Sequence, residues 1–289
     1  MNKNDAICLK PTGEKGAHNK RSWINEAEGK LASALILRES AQAKTVEIDA
    51  LLDNETVTSA QVFNIISPRD AANKSSFLLL GYAIELLLKS GVVSLLIYAP
   101  KHLLERKVQN YGHNLIRIAN ELHIELSKSE KKLLNKLSSF IVNETRYPLI
   151  VDSSQEYNEK INQLMMDFSC DSLFETGVDI FDKVKLVIDS IDGTEINPKV
   201  YSKLQIDFDG YIIFRIGGYL PPTLIIKYSS QQVELKKNNL IDLKALVLRN
   251  YKSHATNMLM IDTWEKSDIY VVCEKKGLVK SQANVKQRK

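Results

Sequence analysis

FLLLGYAIELLLKSGVVSLLIYA, Phe77 to Ala99, is the most apolar run of the chain, and its reading decides the fold. Thirteen of its residues are Leu, Ile, Val or Phe, and its only charges, Glu85 and Lys89, stand near its middle. A helix of this length would span a bilayer. The aliphatic residues favour insertion by about 0.3–0.6 kcal/mol each, and each central charge opposes it by about 2.5–3.5 kcal/mol, so the two totals nearly cancel. The surroundings decide between the readings. Basic residues flank both ends, with Arg69 and Lys74 before and Lys101, Arg106 and Lys107 after, so no positive-inside asymmetry exists. Several neighbouring segments are amphipathic and need an apolar element to pack on, so the run reads as the central helix of a bundle. Within it, Glu85 precedes Lys89 by four residues, the favourable order for a same-face ion pair. Such a pair, once buried, requires further polar partners for its remaining donors and acceptors.

Outward from this helix the pattern stays helical. Trp23, Ala27, Leu31, Ala34, Leu35 and Ala41 recur at helical spacing between residues 22 and 53. SPRDAANKSS, 67–76, has the chemistry of a turn and a helix start, and Pro100 stops the central helix. A helix is expected in GHNLIRIANEL, 112–122. Another is expected over 127–145, where Ser127 and Glu130 stand at capping-box spacing, and a fifth over 173–191. After residue 192 the period changes to two. Leu204, Ile206 and Phe208 alternate with polar residues, Asp209-Gly210 suits a hairpin turn, and YIIFRI and TLIIKYS follow, so a three-strand meander is expected. A partly helical stretch (238–264) and a further strand (268–274) complete the pattern. The expected fold is mainly α: a bundle of about five helices at 22–192, then a small α+β segment at 199–274. Residues 1–21 and 275–289 read as flexible tails, the second one basic.

Composition sets bounds on function. The chain has 289 residues, 44% hydrophobic and 26% charged, with a net charge of +4, ordinary for a globular protein that can bury a substantial core. The three cysteines form neither a CxxC pair nor a disulfide framework, and the first twenty residues lack an apolar signal core, so a cytoplasmic protein is expected. The five histidines make no HExxH and no Cys/His ligand cluster, and phosphate-loop, dinucleotide and nucleophile-elbow motifs are missing, so no metal and no cofactor are expected.

Three pieces stand in a telling order: GYAIELLLK (81–89), GHNLIRIANEL (112–122) and ETRYP (144–148). Together they resemble the helical HEPN superfamily (higher eukaryotes and prokaryotes nucleotide-binding). There a helix with an E-x-x-x-K pair is followed by a G-H-x-L helix and a helix ending in an R-Y-P-like signature. The resemblance covers about residues 22–191 and leaves the strand-rich segment outside. It implies a polar cluster of Glu85, Lys89, His113, Arg146 and Tyr147, either a binding site or a structural one.

The resemblance also implies a choice of functions. Many HEPN proteins are RNA-binding partners or metal-independent ribonucleases in bacterial phage-defence and toxin–antitoxin systems. The active form carries Arg-x(4–6)-His, with imidazole as base for the ribose 2′-hydroxyl and guanidinium as phosphate clamp. That spacing occurs here at Arg106–His113, Arg117–His123 and Arg249–His254. Only Arg249 is followed directly by a residue of the preferred type, Asn250, yet this motif lies beyond the strands, and the last bundle helix, 173–191, has neither Arg nor His. The expectation is a nucleotide- or RNA-linked binding and interaction module. The alternatives are a metal-independent ribonuclease using Arg249 and His254, and a structural or oligomerising helical protein. Expected partners are RNA or a nucleotide and a separate partner protein, with a homo-oligomer and no membrane.

Overall fold

A computed structural model describes residues 6–9, 13–52, 58–144, 153–250 and 254–281. The described residues are mostly helical, with one six-stranded mixed sheet. They divide into two units: a helical one, Lys20–Val92 with Tyr111–Ile188, and a mixed one, Met1–Asn19 with Val93–Asn110 and Asp189–Lys289.

In the helical unit, α1 (Lys20–Leu52) is followed by α2 (Ser59–Leu95), the central helix. Phe77, Leu80, Ala83, Ile84, Leu87, Leu88 and Val92 of α2 are wholly buried, as an all-round apolar helix requires. Among the described residues it is the one helix long and apolar enough to cross a membrane, and 72% of its apolar window is buried inside the fold. Helix α2 begins earlier than expected and runs through SPRDAANKSS with Pro68 in its interior. Pro68 is exposed, so the carbonyl it cannot serve lies where water reaches it. The bundle continues with α4 (Leu115–Glu121), α5 (Lys128–Ser139), a π-helical turn at Phe140–Glu144, α6 (Ser154–Ser169) and α7 (Asp171–Ser190). The capping box of Ser127 and Glu130 forms as its spacing requires. Close approach is purchased with glycine: a Cβ at Gly177 of α7 would stand 2.6 Å from Leu80 Cδ2 of α2. Phe77 is the hub of the core, edge-on to Phe140 at 5.8 Å and to Phe174 at 5.4 Å.

Among the described residues, seven α-helices rather than five precede residue 192. The two unforeseen ones are α3 (Lys101–Asn110), which belongs to the mixed unit, and α6. Helix α6 buries only Phe168, so it carries almost no apolar stripe to be read.

The mixed unit is built on strands β1 (Ile7–Cys8), β2 (Val200–Ile206), β3 (Gly210–Ile216), β4 (Thr223–Lys227), β5 (Asp268–Cys273) and β6 (Gly277–Lys280), paired in that order. The expected meander is β2–β3–β4. All neighbours are antiparallel except β4 and β5, which are parallel. A parallel pair needs a crossover, here supplied by α8 (Ser230–Glu234), α9 (Leu240–Asn250) and α10 (Ala255–Asp262). Leu204, Ile206, Ile212, Phe214, Leu224 and Ile226 on one sheet face pack with Leu243, Val247, Met260 and Trp264.

Three expectations change here. The residues read as N-terminal tail contain β1, whose Ile7 pairs with Lys203, and those read as C-terminal tail contain β6, whose Leu278 is 5% exposed. Two- and four-residue strands offer too little alternation to be seen. The third concerns the hairpin. Ile206 pairs with Gly210, so Asp207–Asp209 form the loop, and Phe208 is 97% exposed at its tip rather than inward. Gly210 instead begins β3, at a position where a Cβ would stand 2.7 Å from Ser229 N.

Candidate functional site

The polar cluster implied by the central helix forms around one carboxylate. Glu85 is 4% exposed, and its two oxygens take different partners: Oε1 lies 2.6 Å from Lys89 Nζ and Oε2 lies 2.7 Å from His113 Nδ1. Lys89 is supplied by the next turn of α2. His113 comes from the Tyr111–Asn114 turn before α4, 28 residues along the chain. Its position is held on both sides. Gly112 takes a left-handed φ of 55°, Asn114 caps α4 by accepting from Arg117 N at 2.9 Å, and Ser138 Oγ accepts from Leu115 N. Tyr111 donates to Glu121 Oε2 at 2.7 Å, and the Arg117 guanidinium lies 5.2 Å over its ring. Burial first, then the nearby Glu121 carboxylate, pushes the Tyr111 hydroxyl far above the usual phenol range, so it stays a proton donor. The Tyr82 ring stands edge-on to His113 at 6.2 Å.

This geometry assigns a proton. An ionised carboxylate only accepts, so Nδ1 of His113 donates to Glu85, and in the neutral ring Nε2 is the acceptor. The His113 side chain is 34% exposed, against 6% for Glu85 and 12% for Lys89. A buried carboxylate thus orients an imidazole and an ammonium, and the imidazole is the member that solvent reaches. The arrangement can bind a hydrogen-bond donor at His113 Nε2 and an anionic group at Lys89. No metal-ligand cluster exists among the described residues. Arg146 and Tyr147, the other expected members, lie outside the described residues.

Arg249 and His254 are placed differently. Arg249 is exposed in the last turn of α9, and its Nε donates to Asn250 Oδ1 at 3.3 Å. His254 is the N-cap of α10: its Nδ1 accepts from Thr256 N at 3.3 Å and meets Thr256 Oγ1 at 2.8 Å. No hydrogen bond or ion pair joins the two among the described residues. The nitrogen that a general base would use is, on this side of the ring, occupied by the helix.

Comparison with family models, with curated proteins and with solved structures was made for the whole chain. None of the three finds a match.

One cluster was not anticipated. Arg38 of α1 is 5% exposed and reaches across the helical unit. Its Nε donates to Asp171 Oδ1 at 2.9 Å, and its Nη1 donates to Asn73 Oδ1 at 2.8 Å and to the Phe168 carbonyl at 2.5 Å. The guanidinium lies between Phe77 and Phe174, 5.6 and 5.2 Å from their ring centres. Burial would raise the Asp171 pKa, but hydrogen bonds from Gln42 and Arg38 and the Arg38 charge outweigh it and hold the carboxyl below its ordinary value. Leu35, Arg38, Gln42, Asp171, Phe174 and Val178 line a groove of about 280 Å³ between α1 and α7. The signal was in the spacing: position 38 continues the inward series of Leu31 and Ala34 to Ala41, which makes an inward arginine the residue to question.

Proposed function

We propose that this chain is an HEPN-like nucleotide- or RNA-linked binding and interaction module, and that Glu85, Lys89 and His113 form its binding site. The observation that supports this reading is the single buried carboxylate holding both Lys89 and His113. A buried ion pair needs a further polar partner, and a wholly buried one would serve a structural pair as well. Recruiting a partly exposed histidine from a separate, glycine-shaped turn sets an acceptor nitrogen beside an ammonium, an arrangement suited to a nucleotide whose N–H or O–H donates to His113 and whose phosphate accepts from Lys89. The sequence resemblance favours the same ligand class, and a role in phage defence or a toxin–antitoxin pair follows from it. The ribonuclease alternative depends on Arg249 and His254, which no described contact joins, so the binding reading takes precedence.

The test uses the full chain with two probes, a labelled single-stranded RNA and a nucleoside triphosphate. His113→Ala and Lys89→Met are each expected to weaken binding by about tenfold or more, 1.4 kcal/mol per decade, with His113→Ala folded as judged by its melting curve. If neither probe binds the native chain, or if both variants bind as tightly as native, the cluster is structural and the proposal fails.

A further inference from the structure

The sheet of the mixed unit holds a buried cation that its surroundings satisfy only in part. On the face opposite the α9–α10 core, Tyr201 of β2 stands across from Arg215 of β3, and Arg215 across from Thr223 of β4. Arg215 is 1% exposed, the least solvated charged residue described. Its Nη2 donates to the Ile191 carbonyl at 2.6 Å, whereas Nε and Nη1 are buried and make no hydrogen bond among the described residues. The Tyr201 hydroxyl offers its oxygen to the guanidinium as an acceptor and gives its own proton to the Ser94 carbonyl at 2.7 Å. A guanidinium has five N–H donors, and buried donors are ordinarily met.

The nearby charges do not balance it. Asp192, beside the same hydroxyl, pairs with Lys199 Nζ at 2.7 Å and accepts from Ser94 Oγ. Asp268, in the same cross-strand row, pairs with Lys280 Nζ at 3.0 Å. Each carboxylate has a lysine partner, whereas no described ion pair includes Arg215. The backbone around it is shaped to come close. Gly218 has a φ of +70°, and a Cβ there would stand 3.2 Å from Arg215 Nη2 and 2.4 Å from the Ile191 carbonyl oxygen. Lys199 and Asp192 have side chains 29 and 30% exposed, so the polar network runs from the buried guanidinium out to solvent.

We propose that Arg215 anchors an anion site in the mixed unit, taking a small oxyanion at Nε and Nη1 with Lys199 as the second cation at its outer end. Phosphate and carboxylate share the required chemistry. This site is independent of the Glu85 cluster and stands or falls without it.

Thermal melts of the full chain test the proposal, with inorganic phosphate in one arm, acetate in another and chloride as the control at constant ionic strength. The expected result is a saturable rise in melting temperature with phosphate or acetate over chloride, and the arm that responds identifies the anion class. The rise disappears in Arg215→Met, an apolar replacement of a kind that buried cations often tolerate. In Lys199→Ala the half-saturating concentration increases about tenfold, as for the loss of one charge-assisted contact. If Arg215→Met does not fold, Lys199→Ala decides alone. A native chain that responds to neither anion beyond chloride, or an unchanged response in Lys199→Ala, overturns the site and leaves ordered water as the partner of Arg215.

Discussion

A histidine can serve as a base or as a cap, and the nitrogen it spends tells which. His254 spends Nδ1 on Thr256 at the start of α10, so its removal is a loss of a helix cap. His254→Ala is expected to lower stability by about 1 kcal/mol in urea unfolding, and His254→Asp to restore it, since Asp is a strong N-cap. A catalytic His254 would behave otherwise, because Asp could not replace the imidazole in RNA cleavage. Asp171 gives a pH-dependent counterpart. Its folded-state pKa is depressed, so its contribution is present above the unfolded value near 4 and is lost as pH falls through the lower folded value. Acid unfolding of Asp171→Asn should therefore show a shallower loss of stability below about pH 4 than the native chain. An equal slope would mean that the Arg38–Asp171 contact does not distinguish the folded state.

Periodicity made some elements legible, and shortness or a missing apolar stripe hid others. The central helix is marked by its unbroken apolar run, α1, α5, α7 and the β2–β4 meander by one clear period, and each is found close to its expected place. The start of α2 is an exception, because a proline inside a helix has the same local chemistry as a proline that begins one. If α2 runs unbroken through Pro68, Pro68→Ala restores a backbone donor and should raise the unfolding free energy, by up to about 3 kcal/mol. A turn at 67–76 would show no such gain. The short strands β1 and β6 were invisible for a different reason: a strand of two or four residues is defined by its partner, not by its own alternation.

The mixed unit draws on three distant parts of the chain, so residues that look like termini carry structure. Leu278 tests this directly. In a solvated tail Leu278→Ala would change stability by no more than about 0.5 kcal/mol, whereas at its buried place in β6 it should cost about 2–5 kcal/mol in equilibrium unfolding.

The sequence by itself determined what nearest neighbours along the chain decide. It carried the central apolar helix, the capping box of Ser127 and Glu130, the four-residue spacing of Glu85 and Lys89, and the change of period after residue 192, because helix and strand geometry repeat every few residues. The tertiary structure alone decided which distant groups meet. His113 joins Glu85 from 28 residues away, and Asp171 joins Arg38 from 133. Arg215 is left with more donors than acceptors. No local period encodes such meetings, because they depend on where the chain returns and on the requirement that a buried charge find a partner.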